Sequence, residues 1–291
     1  MMVSLLSPPE LRRLAWLLVP LVLGCGGGRS AGGTPPAPRS PPPASSVQIL
    51  RGEPSRWSGH IAAGKTLDIR ALRGSIHATA ATGDVATVEG RPAEGHAADG
   101  GPGAAGAAGA ATAAPGMRVV ETEEGVEVRP ERPFEDGEGA CERAGSAARL
   151  DLDFVVSVPA GVRLRGRTVE GAVVVESLAS PIDVRTVNGS IDLRRVAQAE
   201  ARTVNGTITA SFTGTSWSED VELATVQGAL EVTLPAAADA ELRASTVNGA
   251  IRFDFPAQGP VGPHRASATL GRGGKELRLR TVNGGIHVGK A

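Results

Sequence analysis

One four-residue phrase, T-V-N-G, recurs through the second half of the chain and limits what it can fold into. It stands at Thr186-Val187-Asn188-Gly189, Thr203-Val204-Asn205-Gly206, Thr246-Val247-Asn248-Gly249 and Thr281-Val282-Asn283-Gly284. Looser copies are Thr87-Val88-Glu89-Gly90, Thr168-Val169-Glu170-Gly171 and Thr225-Val226-Gln227-Gly228. Apolar residues follow each phrase at fixed offsets, as in Ile191 and Leu193, Leu230 and Val232, Ile251 and Phe253, or Ile286 and Val288. From Thr168 onward the copies begin 18, 17, 22, 21 and 35 residues apart. A period of about 20 residues marks one supersecondary unit stacked on itself.

The alternation around the phrase says what that unit is. Ile182, Val184 and Thr186 share one face of a strand, whereas Ile191 and Leu193 fall on the opposite parity. A straight strand cannot change parity without turning every side chain over, so the backbone must turn at V-N-G. Asn and Gly tolerate the positive φ that such a turn can need. Asn-Gly between alternating segments also suits a hairpin, which would give an antiparallel meander. Near-identity of successive copies favours a β-solenoid, because stacked coils set Asn on Asn and Val on Val. The expected fold is therefore all-β, a single-stranded β-helix or β-solenoid of roughly 20-residue coils. The interval of 35 is explained by an insertion over Pro256 to Gly274.

The first half reads differently. Arg12 and Arg13 precede the apolar run Leu14 to Gly24, a secretory-signal layout too short to span a bilayer comfortably. Val22-Leu23-Gly24-Cys25 resembles the lipobox of bacterial lipoproteins, which implies signal removal after residue 24 and acylation of Cys25. Gly26 follows, not the Asp that resembles an inner-membrane retention signal, so attachment to an outer membrane is expected where the envelope has one. Residues 25–46 are rich in Gly, Pro, Ala and Ser and read as a tether. The folded domain is expected over 47–291, with a disordered Gly/Ala-rich insertion at 91–116. Cys141 would be alone in the mature chain and reads as an incidental thiol in a polar loop.

From Leu150 the strand signal is clean, through Leu152, Phe154 and Val156 to Val158-Pro159-Ala160-Gly161. This V-P-x-G strand, leading into Arg167-Thr168-Val169-Glu170-Gly171 and the later copies, resembles the bacterial putative-adhesin family, a domain of unknown function with T-x-N-G-x-I segments. The likeness runs from about Val47 to the end. It implies a right-handed β-helix and an exported or envelope-attached protein, and it brings no catalytic residues.

Chemistry is sparse. Asn188, Asn205, Gln227, Asn248 and Asn283 would stack as an amide ladder that supports the turns. Arg167, Arg185, Arg202 and Arg280 precede Thr in their repeats and form a candidate binding stripe for anionic groups. Ala224 and Ser245 break that row, and Asp183, Asp192 and Glu222 supply counter-charges, which points instead to a solvated face. His60, His77, His96, His264 and His287 show no metal-ligand spacing, so no metal and no cofactor is expected. With a formal net charge of −1, bulk charge suggests no nucleic-acid partner. The expectation is a non-catalytic, lipid-anchored adhesion or recognition surface or scaffold, whose partner is an envelope protein or surface polysaccharide. Two alternatives stand beside it: an accessory to an envelope-stress or signalling membrane protein, and a carbohydrate-active β-helix enzyme.

Overall fold

A computed structural model describes residues 46–52, 54–93, 116–131, 151–255 and 258–291. The signal, Cys25, the tether before Ser46, most of the Gly/Ala-rich stretch, Cys141 and His96 lie outside the described residues. None of the described residues is helical.

The strands in chain order begin with β1 (Ser46–Leu50), β2 (Ser55–His60), β3 (Thr66–Arg70), β4 (Ile76–Ala80), β5 (Val85–Pro92), β6 (Met117–Thr122) and β7 (Gly125–Pro130). Next come β8 (Leu152–Val158), β9 (Arg163–Arg167), β10 (Val173–Glu176), β11 (Ile182–Arg185), β12 (Ile191–Val196), β13 (Ala199–Asn205) and β14 (Ile208–Phe212). The last are β15 (Val221–Gln227), β16 (Leu230–Leu234), β17 (Ala240–Ser245), β18 (Ile251–Phe253), β19 (Arg265–Leu270), β20 (Glu276–Arg280) and β21 (Ile286–Lys290).

They form two sheets, which the chain visits alternately from β8 to β18. The 11-stranded sheet runs β1-β6-β7-β3-β9-β11-β13-β15-β20-β17-β19, and the 10-stranded sheet runs β18-β21-β16-β14-β12-β10-β4-β8-β5-β2. Each coil thus gives one strand to either sheet. The coils β3/β4, β9/β10, β11/β12, β13/β14, β15/β16, β20/β21 and β17/β18 stack in that order with parallel, in-register pairing. This is a β-solenoid, and the parity change at each T-V-N-G is the passage from one sheet to the other.

Register sets like on like in the core. Ile76, Val173, Ile191, Ile208, Leu230 and Ile286 occupy one inward column. Leu67 pairs with Leu164, and Val221 with Leu277, on the facing sheet. All of these side chains are buried in a single apolar cluster. Aliphatic and β-branched residues suit a pleated surface buried on its inner side, and few aromatics are needed to fill it.

Several expectations need correction. Thr87-Val88-Glu89-Gly90 is no turn: it lies inside β5, antiparallel to β2 and β8, with Val88 buried and Thr87 exposed. Ala71-Leu72-Arg73-Gly74, between β3 and β4, is a corner that does not carry the phrase. The stretch Pro256 to Gly274 is not a plain insertion, since it contains β19, which pairs antiparallel with β17 and closes that edge of the larger sheet. Order in space also departs from order in sequence, because the final coil β20/β21 lies between β15/β16 and β17/β18. Finally, the corner asparagines do not adopt positive φ. Among the described residues, the non-glycines that do are Ser177 (58°) and Arg195 (53°), at the other end of the smaller sheet's strands.

Candidate functional site: the stacked corner

Each residue of T-V-N-G has its own task. The threonine is buried and its hydroxyl donates to the glycine carbonyl of the neighbouring coil. These bonds are Thr168 to Gly74 (3.1 Å), Thr186 to Gly171 (3.2 Å), Thr203 to Gly189 (3.0 Å) and Thr225 to Gly206 (3.0 Å). Thr281 to Gly228 (3.0 Å) and Thr246 to Gly284 (2.9 Å) continue the column. The Thr168 bond is buried and the others are part-buried; a carbonyl shielded from water and left without a donor costs up to about 1–3 kcal/mol, so the hydroxyl supports the stack.

The glycine is required by proximity. A Cβ on Gly206 would stand 2.0 Å from the Gly189 oxygen, and the same approach, 1.9–2.1 Å, recurs at Gly171, Gly189, Gly228, Gly284 and Gly249 over the coil beneath. Gly171 (145°), Gly228 (153°) and Gly284 (157°) also hold a positive φ that other residues rarely adopt, so at these three corners conformation and proximity both select glycine.

The other two residues face out. The second position forms a rib of aliphatic side chains: Leu72, Val169, Val187 and Val247 are 39%, 40%, 40% and 63% exposed, and Val204, Val226 and Val282 are half-buried between them. Beside the rib runs a polar column, in spatial order Asp151, Arg73, Glu170, Asn188, Asn205, Gln227, Asn283, Asn248. Asn205 Nδ2 donates to Asn188 Oδ1 at 2.8 Å, and Asn248 Nδ2 to Asn283 Oδ1 at 2.7 Å. Arg73 pairs with Glu170 at 3.0 Å. The amide row is thus at the surface, while the turn carbonyls behind it are met by buried threonines. Sequence reasoning missed the threonine hydroxyls and the exposed valines, although their fixed offset from Gly carried the signal.

The arginine stripe is assembled as the spacing implied, and it is longer than expected. Arg70 pairs in register with Arg167, Arg167 with Arg185 and Arg185 with Arg202, and Ala224 then separates them from Arg280. An acidic column two residues earlier interleaves with it. Arg185 lies 3.1 Å from both Asp183 and Glu200, Arg202 2.9 Å from Glu222, and Arg70 3.0 Å from Asp68 and 3.3 Å from Glu127. The hydrogen bonds that Arg70 donates to Asp68 hold its guanidinium above its ordinary pKa, against a smaller opposing effect of burial. Arg167 and Arg280 have no ion-pair partner among the described residues. A row neutralised in this way is a poor polyanion track.

Chemistry beyond this is thin. A surface depression of about 80 Å³ is lined by Arg163, Asp183, Gln198, Glu200, Glu219 and Asp220, well below the several hundred Å³ of a ligand pocket. Among the described residues no three His, Cys, Asp or Glu side chains converge on a point that could hold a metal. His60 lies 3.4 Å from Asp84 and His287 3.1 Å from Asp254, on different coils.

Residues 167–289 match the profile of the family described as Toastrack DUF4097, from the first intact corner almost to the C-terminus. The solved structure of a "putative cell adhesion protein" from Clostridium sporogenes aligns over 85% of this chain and 100% of its own, with 12% identity and a TM-score of 0.42. No curated protein matches the chain.

Proposed function

We propose that this chain is a non-catalytic, lipid-anchored protein of the bacterial cell envelope whose solenoid corner is a recognition or scaffolding surface. The observation that supports it most is the rib of exposed aliphatic side chains from Leu72 to Val247, backed by a column of polar side chains. A surface strip that repeats at the strand spacing of about 4.8 Å suits an extended, repetitive partner better than a compact ligand. Contiguous apolar strips rimmed by polar groups mark interaction sites. The Toastrack match over 167–289 supports a repeat domain and brings no reaction with it. The lipobox-like Val22-Leu23-Gly24-Cys25 supports an acyl anchor at Cys25, with residues 25–46 spacing the solenoid from an outer membrane. The partner class is surface polysaccharide or an envelope protein.

The test is in-cell crosslinking of the full chain, with capture analysed by mass spectrometry, beside Cys25→Ala and a triple variant Val169→Asp, Val187→Asp, Val247→Asp. The reading expects envelope glycan or one defined envelope protein to be captured and lost in the triple variant. Capture that is indifferent to the three aspartates, with the fold intact by circular dichroism, overturns the corner as the surface. Turnover of an envelope glycan abolished by one carboxylate substitution would overturn the non-catalytic assignment.

A further inference from the structure

The last coil fills a slot whose walls are made earlier in the chain. In the larger sheet β20 is held on one side by β15, from Val221–Leu277 to Ala224–Arg280, and on the other by β17, from Glu241–Glu276 to Ser245–Arg280. In the smaller sheet β21 is held likewise between β16 and β18. The corner repeats this on both sides, with Thr281 donating to Gly228 below and Gly284 accepting from Thr246 above. Both walls and the insert carry nearly the same T-V-N/Q-G phrase, so the slot recognises a corner type more than a particular segment of chain.

The insert is joined to the rest by the crossover Gly271-Arg272-Gly273-Gly274-Lys275, which rounds the start of β17. Gly271 (56°) and Gly273 (75°) are left-handed, and Gly271 has no room for a side chain, since a Cβ would meet Asp239 Oδ1 at 2.1 Å. A clasp fixes the bend: Arg272 donates its backbone N–H to Asp239 Oδ1 (2.8 Å) and its guanidinium to Asp239 Oδ2 (2.7 and 3.0 Å). Arg272 is 91% exposed, so the clasp is made in solvent and is easily opened.

We propose that the terminal coil, Glu276–Lys290, exchanges between two copies of this chain, each filling the other's slot. Exchange keeps every contact inside the slot and alters the crossover alone, the condition under which swapping costs least. The Arg272–Asp239 clasp holds the bend that keeps the insert in its own chain, and so sets the partition between closed monomer and exchanged dimer. This inference stands independently of the proposed envelope function.

The experiment uses the full chain in a Cys25→Ser, Cys141→Ser background. Two single-thiol variants, Glu222→Cys on β15 and Arg278→Cys on β20, place thiols at register neighbours that cannot bridge within one molecule. They are mixed, unfolded in urea, refolded together at low and at roughly hundredfold higher concentration, and treated with a short bis-maleimide. The expected result is a 222–278 crosslinked dimer whose yield rises with concentration and rises several-fold further when Arg272→Ala is added. Light scattering on the unlabelled chain should show the matching dimer. A monomer at every concentration, with or without Arg272→Ala, overturns the proposal. So does a dimer in which 222–222 and 278–278 links are as abundant as 222–278, because that is association without exchange.

Discussion

Replacing Gly206 by alanine tests the physical account of the corner most directly. The added methyl would lie 2.0 Å from the Gly189 oxygen, 2.6 Å from its carbonyl carbon and 3.1 Å from Ser190 N. All three are backbone atoms, so no side chain can swing aside, and the two coils must part by more than about 1 Å to reach ordinary contact distance. That movement stretches three bonds crossing the junction: Thr203 Oγ1 to Gly189 O (3.0 Å), Gly189 N to Asn205 O (2.9 Å) and Asn205 N to Val187 O (2.8 Å). At about 1 kcal/mol each, with about 1–3 kcal/mol of overpacking strain, the expected loss is about 4–6 kcal/mol. Many single domains have little more than that in total. The control is Gly83→Ala, whose Cβ meets nothing within 4 Å and which should move stability by no more than about 0.5 kcal/mol. Urea unfolding can be followed by fluorescence of Trp57 and Trp217, both buried. If Gly206→Ala unfolds within about 1 kcal/mol of Gly83→Ala, the close-approach argument is wrong.

Related perturbations should fall in a definite order. Thr203→Ala removes a buried hydroxyl that donates to a part-buried carbonyl and should cost about 1–3 kcal/mol, whereas Asn205→Ala removes one exposed amide pair and should cost about 0.5–1 kcal/mol; equal losses in urea titrations would contradict the assignment of inner and outer rows. Asp239 is held below its usual carboxylate range by the Arg272 backbone N–H and then by its guanidinium. A depressed folded pKa gives stability that is present above the unfolded value of about 3.9 and lost as pH falls through the folded one. Asp239→Asn should therefore melt below the parent at neutral pH and converge with it in acid, and a gap that persists or widens there would refute the linkage. Combining Asp183→Asn, Glu200→Gln and Glu222→Gln unmasks the arginine row, so retention on a polyphosphate matrix at low salt should rise from near zero and disappear at about 1 M salt. No gain in retention would mean that something other than these carboxylates silences the row.

How much was legible followed from how local each signal is. T-V-N-G specifies a corner within four residues, so the repeats from Thr168 and the parity change could be read directly. The corner at Ala71-Leu72-Arg73-Gly74 shares only the glycine, and the approach that demands it, 2.1 Å to the Leu152 oxygen, comes from a residue distant in sequence. Thr87-Val88-Glu89-Gly90 shows the converse error. Its Thr87 is exposed and its Val88 buried, the reverse of a true corner, and only strand pairing reveals that. The arginine row was read as a row, but Arg70 belongs to it through register with Arg167, across about a hundred residues of sequence that no local pattern spans. The displaced final coil was invisible for the same reason, since identical corners fit any neighbour equally well.

That interchangeability bears on how such a chain can change length. Each interior coil meets the next through the same threonine, glycine and carbonyl, so a junction carries no memory of which coil it joins. Excising residues 187–203 would splice Thr186 directly to Val204 and leave a T-V-N-G phrase intact, with β11 now feeding β14. The gap closes by one strand spacing of about 4.8 Å, and the coils on either side meet with the contacts they already had. Loss or duplication of such a unit is therefore a step between two foldable proteins, and the reach of the exposed rib becomes a heritable quantity counted in whole coils.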